Sequence, residues 1–519
     1  MPAAVLPVPT SVAERRASTR DWLAVAAGAI GSFMATLDIS IVNSALPTIQ
    51  GEIGASASEG TWIATSYLVA EIVVIPLTGW LERVFGLRRF LLIAAVLFTG
   101  FSVLCGFAGD LTTMIIGRTG QGFTGGAMIP TAMTIIATRL PPSQQPIGTA
   151  LFGSTVILGP VFGPLIGGWL TEAMSWHYAF FLNVPICLGL MIFLLIGLPS
   201  DRPNWSALRE ADWLGIAGMA IGLGSFTVVL EEGHREQWFD SALITQLSAL
   251  AIVGFVLIGI GQLTAKRPVI RLALMRQRQF ASVIVMALAT GVVLYGASYV
   301  IPQFLAGIAG YNAMQAGQVV FLSGLPAMLA MPLLPIAMKY LDVRVAVAGG
   351  FLLMAFATWI NNGLTAASAG SEFTISQLIL GFGQVLAMIF LNQAAISAVD
   401  PADAGDASGL FNAARNLGGS VGLAVLATLR DERTEFHRWN LHSGVQWNDI
   451  QVQDYFSGLV SQFGSLDAAY QALDGTITRE AVVMAFNDSF TFITWVIVTA
   501  VSLTLFLKPL PKGGAMVMH

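Results

Sequence analysis

The sequence predicts an all-α integral membrane protein, and three observations carry that prediction: an apolar composition, apolar runs of bilayer length, and a one-sided distribution of Lys and Arg. Of 519 residues, 55% are hydrophobic and 11% charged, and the mean hydropathy is +0.73. A soluble domain fills its core with far less apolar matter, so the solvent for most of this chain is the lipid bilayer. The 54 glycines fit that reading. Inside lipid no hydrophobic force draws helices together, and small side chains let them pack closely instead.

Crossing about 30 Å of hydrocarbon takes roughly 20 apolar residues. Runs of that length fall near 22–46, 60–80, 89–108, 113–138, 147–170, 176–198, 212–231, 243–264, 280–306, 315–338, 344–362, 374–397, 406–429 and 485–507, which makes fourteen expected spans. Residues 1–21 read as a retained tail, because the apolar run that follows is too long for a signal peptide and lacks a small-residue cleavage site. Residues 508–519 form a second tail. With both tails in the cytoplasm, most of the 25 Lys and Arg residues fall inside, as the positive-inside rule requires. Arg235, Arg430, Arg433, Arg438 and Arg479 fall outside, and Arg118 and Arg415 lie within spans.

Several classes of chemistry lack their residues. No G-x-x-x-x-G-K-[ST] loop is present to drive pumping by nucleotide hydrolysis, and no H-E-x-x-H, C-x-x-C or G-x-S-x-G motif supports an enzyme. The expectation is therefore no catalytic residue. Cys105 and Cys187 sit in separate apolar segments, and none of the five histidines pairs at ligand spacing, so no metal site or disulfide is indicated. Nor is a nucleic-acid partner.

Four motifs remain. Gly79-Trp80-Leu81-Glu82-Arg83-Val84-Phe85-Gly86-Leu87-Arg88-Arg89 makes a tight basic turn after the second span. Arg118 precedes Gln121-Gly122 in the fourth. The fifth carries Gly159-Pro160-Val161-Phe162-Gly163-Pro164-Leu165-Ile166-Gly167-Gly168, a stripe that bends a helix and admits a close neighbour. Leu37-Asp38 to Pro47 ends the first span, and Trp176-His177 to Asn183-Val184-Pro185 opens the sixth.

These runs resemble signatures of the major facilitator superfamily: G-x-L-x-D-x-x-G-x-R-R with Arg83 at the usual Asp, R-x-x-Q-G, and the antiporter signature G-P-x-x-G-P-x-x-G-G. Together with Asp212-Trp213-Leu214-Gly215 and Arg415-Asn416-Leu417-Gly418-Gly419-Ser420, they are similar to the fourteen-helix drug:proton antiporters of the EmrB/QacA type. The resemblance implies the major facilitator fold: a six-helix bundle over 22–198, an additional helix pair within 199–264, and a second six-helix bundle over 265–507. The latter includes a long extracytoplasmic loop, 431–484, that holds Trp439, His442, Trp447 and Tyr455. It implies secondary efflux of small amphipathic or cationic compounds across a bacterial inner membrane, with the proton gradient as energy source and no cofactor. EmrB-type relatives imply a periplasmic adaptor and a TolC-like outer-membrane channel as partners, whereas QacA-like ones act alone. An exporter of a specific metabolite, fatty acid or siderophore, or a non-transporting sensor or scaffold, stays open.

Ionisable side chains inside hydrocarbon cost at least about 2.5 kcal/mol, so each is a functional candidate. Asp38 lies ~24 Å from one end of its span and Arg118 ~10 Å below the opposite surface, at 1.5 Å per residue. Their depths agree, and the expected role is proton uptake and release at Asp38, with Arg118 biasing the exchange according to conformation. A static packing pair is the alternative. Glu71 is a second proton site, a counter-charge for cationic substrates, or a buried neutral acid. Arg415, at mid-depth in the other bundle, either meets an acidic or amphipathic substrate or caps backbone carbonyls. Tyr67, Phe123, Tyr295 and Phe411, with the polar Gln121 and Asn412, are candidates for lining an adaptable cavity of the kind promiscuous binders use. For each aromatic taken singly, packing or lipid contact suffices.

Overall fold

The structure is a computed structural model that describes residues 16–141, 143–265, 268–330, 333–400, 403–446 and 448–508. Most of both predicted tails, and Trp447, lie outside the described residues. The helices are α1 Thr19–Glu52, α2 Ala57–Gly60, α3 Trp62–Phe85, α4 Leu87–Gly106, α5 Leu111–Gly125, α6 Met128–Arg139, α7 Gln145–Ala173, α8 His177–Phe181, α9 Asn183–Gly197, α10 Ser206–Arg209, α11 Trp213–Glu232, α12 Ala242–Thr264, α13 Arg278–Gly307, α14 Ala313–Phe321, α15 Gly324–Ala330, α16 Leu334–Tyr340, α17 Val343–Ile360, α18 Phe373–Ser397, α19 Ala404–Gly444, α20 Ile450–Phe463 and α21 Leu466–Val501. Local chemistry sets several starts. Ser18 and Asp21 close a capping box on α1. Asp110 caps α5, and the Thr113 amide and hydroxyl hold its exposed carboxyl below the usual carboxylate range.

Helices α1 to α9 form one bundle and α13 to α21 another, with α11 and α12 packed on each other and α11 lying against both α3 and α19. Close approach rests on glycine where a side chain would collide with backbone. A Cβ on Gly159, Gly163 or Gly167 of α7 would strike Thr36, Ser40 or the Ile41–Ser44 turn of α1. Three glycines at four-residue spacing thus fit a hydroxyl row, Thr36, Ser40 and Ser44, at the same spacing, the small-residue packing that substitutes for hydrophobic force in lipid. Gly168 has open space around it, so the last motif glycine does no packing. Pro160 and Pro164 sit inside a helix that stays continuous, and Ser40 donates to the Pro160 carbonyl at 3.1 Å. In the second bundle Gly291 and Gly418 similarly join α13 to α19, facing the carbonyls of Arg415 and Leu288. Gly254 fits against Gly218 and Gly222 in the α11–α12 pair.

Eleven of the described helices are long and apolar enough to cross a membrane, against fourteen expected spans. The other three segments are largely helical over their described residues but do not meet that measure. Span 113–138 is broken near Gly126 into α5 and α6, span 315–338 is split into α14, α15 and α16, and span 406–429 lies in α19, which carries Asp406 and Arg415. The described part of the long segment 431–484 is largely helical. Helix α19 continues to Gly444, α20 follows, and α21 begins at Leu466. The two long helices are tied by Arg433 to Asp488 at 2.5 Å, His437 to Asp488 at 2.7 Å, Arg438 to Asp474 at 3.1 Å and His442 to Asp474 at 2.9 Å. Basic partners four residues apart on α19 share one carboxylate each, which is helical spacing. A polar helix carries no bilayer-length apolar run, and hydropathy passes over it.

Candidate functional site

The first bundle holds a buried charge network drawn from five helices. Arg118 Nη1 of α5 donates to Asp38 Oδ2 of α1 at 2.5 Å, and neither side chain is exposed. Asp38 Oδ1 also accepts from Asn183 Nδ2 at 2.6 Å and from Gln121 Nε2 at 3.1 Å. Ser102 of α4 accepts from Gln121 at 2.8 Å and from Asn183 at 3.2 Å. The chain turns at Leu182 between α8 and α9, which sets Asn183 at the start of α9. Arg118 further donates through Nε to the Ile63 carbonyl at 3.2 Å and lies 4.4 Å over the Tyr67 ring. One carboxylate thus accepts from three donors. The pair is sealed in this conformation, and reaching it requires the surrounding helices to part.

Tyr67 and Gln121 belong to the Asp38 network. Phe123 is 44% exposed. It lies five residues beyond Arg118, about 140° round the helix at roughly 100° per residue, which turns it away from the network. Asn183 is the residue whose part sequence reasoning missed although its motif was visible, and Ser102 gives no signal at all, because isolated serines are ordinary in membrane helices.

A second polar region lies between the bundles. A small cavity there is lined by Glu71 of α3, Thr227 and Glu231 of α11, Tyr295 of α13, and Asn416 and Ser420 of α19. Arg415 is buried beside it, donates to Asn416 Oδ1 at 3.2 Å, and leaves Nε and Nη1 without a hydrogen-bond partner. No carboxylate lies within ion-pair distance of Arg415 among the described residues. Asn412 is buried and donates to the Ser408 carbonyl at 2.9 Å, and Phe411 is buried with it.

The Gly79–Arg89 turn packs against the start of α19. A Cβ on Gly79 would collide with the Asp406 carboxylate, Arg83 Nη1 lies 3.3 Å from that carboxylate, and Arg271 reaches both Asp403 and Asp406. The bundles are thus joined by a lock in which the motif supplies the cation. Gly86 takes a φ of +79°, a backbone state that favours glycine, and Arg88 donates to the Leu198 carbonyl at 3.1 Å. Arg89 is exposed. Since Arg83 is 40% exposed, the pair contributes at most about 1 kcal/mol. Asp406→Asn is expected to change the ratio of conformers by about fivefold, measured by distances between spin labels on the two bundles. The swap Arg83→Asp with Asp406→Arg restores the ratio; an unmoved ratio in Asp406→Asn excludes a lock here.

Two packed helical bundles, joined at one end by ion pairs and holding buried charges within and between them, are the architecture of a multi-pass membrane transporter. The chain belongs to the Major Facilitator Superfamily, whose family profile matches residues 28–423. It is 31% identical to the colistin resistance protein EmrB of Acinetobacter baumannii, covering 94% of this chain and 96% of that one. It is 30% identical to the multidrug export protein EmrB of Escherichia coli strain K12, over 93% and 94%. The crystal structure of the human organic anion transporter MFSD10 (TETRAN) superposes with a TM-score of 0.57 at 15% identity, covering 92% of this chain and all of that one. That likeness concerns the fold alone.

Proposed function

We propose that this protein is a proton-driven efflux transporter of small amphipathic or cationic compounds that works by alternating access. The observation that carries the reading is the sealed Asp38–Arg118 pair with its further donors Gln121 and Asn183. Asp38 is paired and occluded in this conformation. Parting of the helices admits a proton, which removes the charge that Arg118 faces and frees the helices to rearrange; release on the opposite side restores the pair. The printed names of the relatives, multidrug export and colistin resistance, support outward transport of diverse compounds. The energy comes from the proton gradient without a cofactor, and the protein resides in a bacterial inner membrane with both termini in the cytoplasm.

The test uses purified protein in vesicles. An imposed pH gradient drives accumulation of a cationic dye, and an uncoupler abolishes it; accumulation that ignores the gradient overturns the reading. The unpartnered donors of Arg415 favour a second reading, in which acidic amphiphiles are also carried. Competition by a long-chain carboxylate that disappears in Arg415→Gln supports it, and undiminished competition excludes it.

A periplasmic adaptor and a TolC-like channel are the proposed partners, with the helical projection of α19, α20 and α21 as the docking element. Removing residues 445–464 is expected to leave vesicle transport intact while whole-cell resistance falls. Unchanged resistance would argue that the protein works alone.

A further inference from the structure

We infer that Glu231, on the additional helix α11, is a proton relay that loads Glu71 across the inter-bundle cavity. This deepens the proton-driven reading and rests on it. The argument starts from two adjacent glutamates at the end of α11. Glu232 is fully engaged: Thr65 donates to it at 2.7 Å, Thr61 donates at 3.3 Å, and Arg235 pairs with it at 2.8 Å. Glu231 is turned about 100° from it and lines the cavity instead. There three buried oxygens have no hydrogen-bond partner: Glu231 Oε1, Glu71 Oε2 and Thr227 Oγ1. Glu71 and Thr227 are each 2% exposed. Buried polar atoms left unpaired are costly, and several converging on one void mark a place for water or a proton. The void is about 20 Å³, room for about one or two waters and too small for a drug.

The placement gives the relay a direction. Glu231 stands in the last turn of α11 and is half-buried, whereas Glu71 is nine residues inside α3 and sealed. Ser420 lies beside Glu231 and Asn416 beside Glu71, one helical turn apart on α19. Around the cavity the titratable and charged groups are Glu71 from α3, Tyr295 from α13 and, beside Tyr295, Arg415 from α19, while Glu232, paired with Arg235, adjoins Glu231 on its own helix. Helix α12 carries none. The transfer balances simply. A proton from bulk water binds the Glu231 carboxylate; the neutral acid passes it to a cavity water as that water gives one to the Glu71 carboxylate. Glu231 returns to its charged form, and Glu71 ends as the neutral acid.

The test needs no transport substrate. Protein in nanodiscs is subjected to a downward pH jump while the carboxylic C=O stretch of Glu71, assigned by its loss in Glu71→Gln, is followed in the infrared. In Glu231→Gln the band is expected to rise at least about tenfold more slowly to the same final amplitude, and Glu231→Asp restores most of the rate. Thr227→Val, which removes the water's third partner and keeps both carboxyls, slows the band as well and decides the matter should Glu231→Gln fold poorly. Unchanged rates in Glu231→Gln and Thr227→Val, or a Glu71 band that does not respond to pH, overturn the relay. Loss of substrate-driven proton flux in wild-type vesicles would instead overturn the coupling reading and leave the infrared rates to judge Glu231.

Discussion

Asp38→Asn abolishes pH-driven transport and weakens the fold. The substitution removes a charge that Arg118 meets at 2.5 Å in a fully buried site, and it replaces an acceptor of three donors with a side chain that offers one acceptor oxygen. Stranding a buried guanidinium costs about 3–5 kcal/mol, so a clear fall in the unfolding temperature in nanodiscs is expected. Folding and coupling are separable. Asp38→Asn combined with Arg118→Gln removes both charges and recovers much of the stability, yet leaves transport absent, because no carboxyl remains to take the proton. Retained pH-dependent exchange in Asp38→Asn would show that the carrier is another group.

Gly163→Val is expected to have the other large effect. Its first side-chain carbon would stand 3.0 Å from the carbonyl carbon of Ser40 and closer still to the Ser40 side chain. Backbone cannot step aside as a flexible side chain can, so α1 and α7 must separate along the row that also engages Gly159 and Gly167. Overpacking of this kind costs about 1–3 kcal/mol or more. The same substitution at Gly168, with nothing within 4 Å, is expected to stay within about 0.5 kcal/mol. Thermal unfolding of the two variants side by side provides the measurement. Equal destabilisation would mean that the motif acts through helix bending rather than through contact with α1.

The Asp38–Arg118 pairing was legible in the sequence because each charge stands alone in an apolar run and helical rise places the two at one depth. Their partners were not legible: Ser102 and Asn183 are neutral, and nothing in a span distinguishes a serine that orients a glutamine from one that binds its own helix. Glu231 escaped for another reason. At the end of a span a carboxyl reads as an interfacial residue, and only the fold reveals that α3, α13 and α19 surround it. The stripe Gly159–Gly168 was visible as a packing element, but which glycines touch α1 depends on the face that α7 presents. The helices within 431–484 were not legible because a search tuned to bilayer-length hydrophobicity is blind to a polar helix whose register depends on a second helix.

Helix α19 begins beside Arg83 at one end of the molecule and runs without interruption for 41 residues, or about 60 Å at 1.5 Å per residue. A rod of that length is a lever. A tilt of about 5° at one tip sweeps the other through about 5 Å over this length. Whatever grips His442 from beyond the membrane is therefore mechanically informed of whether Asp406, at the far end, is engaged or free.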